Sequence, residues 1–203
     1  MDIFSYFISI YLKMFFIMTP FFVLSVFLTM TQEVQKKDKN SLAIKVTIAV
    51  VISSLVLLFF GKYIFAVFGI TLDAFRIGAG ALLFLTAVEL VKGTKNKQEV
   101  SDKNIHDIAV VPLAIPIVIG PGTIGVLLVM GAEFDTLSKL TLGSFALVLA
   151  VITIGLMLYL SSYIEKVLGE QGLLVISKVT GLFVAALSAQ IIFTGVKNIL
   201  NLG

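Results

Sequence analysis

The sequence predicts an all-α membrane protein of six transmembrane helices, arranged as two inverted three-helix repeats with helices one and four broken. Three observations predict it. Of 203 residues, 59% are hydrophobic and 13% charged, whereas an average soluble domain carries about 25% charged residues. The apolar residues fall into long runs, and the two halves of the chain match at an offset of about one hundred residues.

Crossing the bilayer core takes about 20 mostly apolar residues. Six such runs are present, near 3–30, 41–60, 74–91, 108–131, 140–163 and 174–200. The first carries Asp2 where a signal peptide has basic residues and shows no small-residue cleavage site, so it reads as a retained helix. It is long for one span, and Pro20 lies inside it. Proline removes a backbone donor and clashes with the preceding turn, which predicts a break near Phe16 to Pro20. Run four is broken more strongly, because Pro112, Pro116, Gly120, Pro121, Gly122 and Gly125 crowd into it. Run six carries Gly181, Ala185 and Ala189, a small-residue face suited to close helix packing.

The net charge is +3, but its distribution says more than its sum. Loops one, three and five with their flanks collect most lysines, among them Lys36, Lys37, Lys39, Lys95, Lys97 and Lys166. The opposite side and the first span hold Lys13, Lys62, Arg76, Lys139 and Lys197. The positive-inside rule then puts the odd loops in the cytoplasm and both termini outside it, in a bacterial inner membrane. The absence of cysteine excludes disulfides, thiol catalysis and cysteine-ligated metals. With no Trp, the interfacial belt falls to Tyr6, Tyr11, Tyr63, Tyr159 and Tyr163.

The halves match at polar and proline positions as well as apolar ones. Tyr63-Ile64 with Gly69 recurs as Tyr163-Ile164 with Gly169, and Thr19-Pro20-Phe21 leading to Met30 returns as Gly120-Pro121-Gly122 leading to Met130. Arg76 precedes Glu89 much as Lys178 precedes Gln190. Three spans per half is an odd number, so the second half enters the membrane from the opposite side. The expected organisation is one membrane domain: repeat one over 1–92, a cytoplasmic linker over 93–107 and repeat two over 108–203. Inverted repeats of this kind place a transporter's substrate site at their interface, often at paired helix breaks.

The chemistry expected of a break sets the candidate site. A helix starting at Pro121 offers unpaired N–H groups from about Gly122 to Gly125 and the positive end of its dipole, which suits a carboxylate. Carbonyls released before the break suit an ammonium group or small cation, so a zwitterion fits the pair. Thr19, Pro20, Ser25, Pro116, Gly120, Pro121, Gly122, Thr123 and Gln190 are the candidate substrate-binding residues, with Thr29 nearby. The plainer reading of the hydroxyls is that they bond back to their own helix. Gln190 either joins helices or touches substrate. Glu89 is the coupling-ion candidate as a proton carrier; its plainer reading is an interfacial carboxylate paired with Lys92. Arg76 reads as an interface anchor.

Gly120-Pro-Gly-Thr-Ile-Gly125 satisfies the dinucleotide fingerprint G-x-G-x-x-G, but it lies in an apolar, proline-rich run with no preceding strand and no acidic residue about 20 positions on. The one histidine, His106, lies in the hydrophilic linker. No catalytic residue, metal site or cofactor is expected, and the chain does not read as an enzyme or a nucleic-acid binder.

The segment Asp107-Ile-Ala-Val-Val-Pro112-Leu-Ala-Ile-Pro116-Ile-Val-Ile-Gly120-Pro121-Gly122-Thr123-Ile124 closely resembles the MarC family of integral membrane proteins. The likeness extends to Phe68 through Gly80 and to Gly181 through Gly195. It implies a six-span bacterial or archaeal inner-membrane protein and a neutral amino acid transporter, since one branch of the family moves glycine and alanine. Members commonly read Asn or Asp, Pro, an apolar residue, Gly and a second Pro in the first-half motif. Here the corresponding residues are Thr19, Pro20, Phe21, Phe22 and Ser25. The expected function is an ion-coupled carrier of glycine- or alanine-like amino acids, working by alternating access. The alternative is a passive channel or a non-transport scaffold component. Expected partners are a small polar or zwitterionic solute, a proton or sodium ion and membrane lipids, with homo-oligomers left open.

Overall fold

The computed structural model describes residues 3–32, 34–93 and 110–201, and every regular element among them is helical. The elements are α1 (Ile3–Ile17), α2 (Pro20–Met30), α3 (Lys36–Phe68), α4 (Leu72–Lys92), a π-helical segment (Val110–Val118), α5 (Pro121–Glu133), α6 (Leu137–Tyr159) and α7 (Ser161–Ile199). Five stretches are long and apolar enough to cross a membrane, one of them α1 with α2, and α5 is a shorter apolar helix.

The breaks follow from proline chemistry. Met18 N–H still donates to Met14 O at 3.0 Å, but Thr19 turns left-handed at φ 49, ψ 58. Pro20, which has no N–H to lose, then opens α2. Run four is broken where expected, into a π segment and a separate α-helix. Its π segment has Ile119 N–H reaching five residues back to Ala114 O at 2.9 Å, and Pro121 starts a new α-helix. Residues 94–109, which include most of the expected linker, Lys97 and His106, lie outside the described residues.

Two runs extend beyond their expected bounds. α3 covers 33 residues, about 50 Å at 1.5 Å per residue, against a hydrocarbon core of about 30 Å. It ends at Gly69, whose φ of 62 only glycine adopts at no steric cost. α7 begins at Ser161 and bends at Gly169 (φ 64, ψ 169), so a short leg precedes the spanning part.

α4 and α7 pack antiparallel along their lengths. Gly80 lies against Ser188 O and Ile192, Gly181 against Ala87 O and Leu90, and Gly195 against Asp73 O and Ile77. Positions 73, 80 and 87 thus face 195, 188 and 181, a seven-residue repeat on each helix. Gly181 of the expected small-residue face lies on this seam, and Ser188 and Gly195 continue it; Ala185 also packs against the core. Around this pair, α1 packs on α6, α2 on α7, α5 on both α3 and α4, and α3 on α6. Outward faces carry Ile44, Ile48, Ile52 and Val56 on α3 and Phe145, Leu149, Ile152 and Leu156 on α6. That spacing of exposed apolar residues is a lipid-facing stripe.

Candidate functional site

The two breaks lie at nearly the same level, on either side of the α4–α7 pair. Gly122, in the first turn of α5, sits on Leu83 of α4, and the Phe16 ring, just before the first break, stacks on Phe183 of α7 at 5.1 Å. In the register of the pair Leu83 falls opposite Ala185, about 3 Å along the axis from Phe183.

On the α5 side of the pair the packing is closed. A Cβ at Gly122 would lie 2.7 Å from Leu83 Cα, and one at Gly125 would lie 2.4 Å from Ala79 Cβ. These glycines seat α5 flush on α4. Beyond them, at the end bearing the even-numbered loops, Arg76 fastens the bundle. Its Nη2 donates to Glu133 Oε1 at 2.5 Å and its Nη1 pairs with Asp73, which also accepts from Asn198 Nδ2 at 2.9 Å. One guanidinium, 12% exposed, thus ties α4 to α5 directly and to α7 through Asp73. Arg76 thus joins helices at the end where the sequence expects an interface anchor.

On the other side of the pair α2 packs on α7, and beside them a cavity of about 490 Å³ opens toward the odd-numbered loops. Its wall takes Phe22, Ser25 and Thr29 from α2, Gln32 from loop one, Glu89 and Leu90 from the end of α4, and Glu165, Glu170, Gln171 and Ser177 from α7. The Gly169 bend folds the α7 leg over the cavity and so brings Glu165 and Glu170 to it.

Of the sequence-named residues, the cavity joins Ser25 and Glu89. Glu89 is exposed and forms no ion pair with Lys92 among the described residues, so that plainer reading is corrected. Ser25 and Thr29 do bond back to their own helix, donating to Phe21 O and Ser25 O at 3.0 Å each. Their oxygens keep accepting capacity. Thr19, Pro20, Gly122 and Thr123 are buried at the breaks, outside the wall. Gly120 is partly exposed and Pro116 and Pro121 are exposed, while Gln190 lies on an exposed face of α7. Sequence reasoning did not single out Gln32, Glu165, Glu170, Gln171 or Ser177.

Thr19 is the one residue at the breaks whose backbone is strained. Left-handed conformation is disfavoured for a β-branched residue and tolerated by Asn and Asp, the types that the related motif places here. Thr19→Asn is expected to stabilise the protein by on the order of 1 kcal/mol, read as a raised thermal unfolding midpoint in detergent. An unchanged or lower midpoint would mean that the buried threonine side chain outweighs its backbone cost.

Multi-pass helical topology, with several spanning helices and breaks within the apolar runs, defines an integral membrane protein. The sequence comparisons give its family. A family model described as MarC family integral membrane protein matches residues 4–200, and the chain belongs to that family. It is 32% identical over 201 residues to a UPF0056 membrane protein of Aquifex aeolicus, covering 96% of this chain and 94% of that one. It is 32% identical to UPF0056 membrane protein MJ1677 of Methanocaldococcus jannaschii, over 97% and 98% of the two chains. To UPF0056 membrane protein YhcE of Escherichia coli it is 30% identical, over 97% and 94%. No solved structure matches.

Proposed function

We propose that this protein is a secondary transporter of small neutral amino acids, ion-coupled and working by alternating access between two inverted repeats in the cytoplasmic membrane. One observation carries the reading. The bundle is fastened by Arg76 at one end and open as a cavity at the other, with two helix breaks level with each other between them. A channel would present a continuous pore, and a scaffold has no use for a closed end facing an open one.

The packing pattern supports the inverted repeat. Exchanging α1 for the π segment, α2 for α5, α3 for α6 and α4 for α7 maps several contacts onto one another: α2 on α7 becomes α5 on α4, and α3 on α6 and α4 on α7 map onto themselves, while the close α3–α5 packing has only a slight counterpart in α2 with α6. Gly69 and Gly169, equivalent under the exchange, both have left-handed φ, 62 and 64. The halves also differ in how α2 and α5 are seated. α5 is seated flush on α4 through Gly122 and Gly125, whereas a cavity opens beside α2 and α7, an asymmetry of the kind that rocking of one repeat against the other uses. The volume of about 490 Å³ falls within the usual range for small-molecule sites, roughly 300–1,000 Å³. The amino acid assignment rests on the family resemblance, and Glu89 in the wall is the coupling candidate.

The test is uptake and counterflow of labelled glycine, alanine and serine in proteoliposomes with imposed proton or sodium gradients. The carrier reading expects saturable uptake, counterflow driven by unlabelled solute and stimulation by one gradient. Uptake linear in concentration without counterflow would establish a channel, and no uptake of any of the three would sink the amino acid assignment.

A further inference from the structure

The fastening at the closed end is charged, and its counterpart at the open end is not. Two seam contacts repeat at an offset of 101 residues: Gly80 lies against Ser188 O and Ile192, and Gly181 lies against Ala87 O and Val91. Pro20 and Pro121, each the first residue of its helix, stand at the same offset. That offset matches Arg76 to Ser177, Asp73 to Leu174 and Glu133 to Gln32. Lys178, which the sequence pattern set beside Arg76, corresponds instead to Ile77: its side chain lies over Gly93 much as Ile77 lies against Gly195.

All three counterparts belong to the cavity wall. The offset did not require this, because it was set by glycines on the seam and prolines at the breaks. The residues that hold one end shut thus have their equivalents around the opening at the other end. There a serine, a glutamine and a leucine replace an arginine and two carboxylates. Hydrogen bonds between ionised groups are roughly twice as strong as neutral ones, so the two ends do not close equally well.

We infer that Gln32 and Ser177 meet and hydrogen-bond when the cavity closes, as the uncharged counterpart of Glu133 and Arg76, and that the stronger pair keeps the protein at rest with this cavity open. The inference rests on the carrier reading and gives it a resting state. Gln32 follows directly on α2 and Ser177 belongs to α7, so their meeting shuts the mouth between those helices. An amide can donate to a hydroxyl or accept from it, and the contact forms without burying a charge.

The test is disulfide formation in the full-length protein carrying Gln32→Cys with Ser177→Cys, in detergent with a mild oxidant. The parental chain has no cysteine, and a disulfide needs Cα atoms within about 7 Å, so the bond reports closure. Loss of free thiols in monomeric protein should be slow. It should accelerate at least tenfold when Arg76→Met is added, because losing the charged fastening lets the other end close more often. Glu133→Gln breaks the same ion pair at a partly exposed residue and should have the same effect, so it decides the matter if Arg76→Met fails to fold. Gln32→Cys with Val179→Cys, whose second position is exposed on α7, should keep both thiols in either background. No cross-link between 32 and 177, a rate indifferent to both Arg76→Met and Glu133→Gln, or equal cross-linking between 32 and 179 would each overturn the latch. Its failure is separable from that of the carrier. Alanine uptake by the parental protein without the cross-link removes the latch and keeps the carrier. A cross-link that Arg76→Met accelerates, in a protein that takes up none of the three amino acids, keeps the latch and removes the carrier.

Discussion

Gly131→Leu is expected to leave almost no folded protein in the membrane. A Cβ at Gly131 would lie 1.8 Å from the carbonyl oxygen of Leu58, and on the same crossing a Cβ at Gly61 would lie 2.3 Å from the carbonyl oxygen of Leu128. Both obstacles are backbone, so no rotamer change relieves them and α3 must move off α5. Overpacking of a well-filled site costs about 1–3 kcal/mol where side chains can give, and a backbone obstacle should exceed the upper end. At about 3 kcal/mol the folded fraction falls by roughly two orders of magnitude relative to the unfolded. The measurement is the monodisperse fraction of a fluorescent fusion after mild detergent extraction. Gly78→Leu is the matched control, because nothing lies within 4 Å of its added Cβ, and it should extract like the parent. A Gly131→Leu yield within twofold of the parental one would show that the α3–α5 crossing is not as close as described.

Arg76→Met should unfasten one end of the bundle while leaving the fold assembled. Methionine keeps the length of the side chain but none of its donors, so Glu133 loses its partner on α4 and Asp73 retains Asn198 alone. Glu133 is 41% exposed and will be solvated once released. The loss should therefore be about 1–3 kcal/mol, below that of a fully buried pair. That is still up to about a hundredfold in the balance between closed and open arrangements at this end. The chain has no cysteine, so a single Thr123→Cys reports without background. Thr123 is buried, and its maleimide reaction should accelerate at least tenfold when Arg76→Met is added. An unchanged rate would show that the arginine stabilises the fold without governing access.

The breaks were legible because proline acts locally. Pro20 and Pro121 interrupt a helix wherever it packs, and only the left-handed turn at Thr19 needed the structure to be seen. Gly122 was singled out for its place at the break, and the structure adds that its missing side chain admits Leu83. Spacing along a chain cannot distinguish a glycine that admits a helix from one that admits a solute. The cavity was harder to read because its wall is gathered from α2, loop one, the end of α4 and both parts of α7. Glu165 and Glu170 look like the solvated flank of a loop until the bend at Gly169 turns them inward. Arg76 and Glu133 are 57 residues apart, and charge counting assigned Arg76 to a membrane interface, where lone basic residues usually sit.

The seam between α4 and α7 limits which movements are available to the bundle. Its small positions recur every seven residues on both helices, so a slide that restored the fit would have to cover about 10 Å. Anything shorter drives side chains into backbone. Translation along the seam is therefore quantised in steps too large for thermal motion, while rotation about its contact line meets no such obstacle. Under the proposed alternating access the pair would serve as an axle, and displacements of α2 and α5 would be turning motions about its contact line.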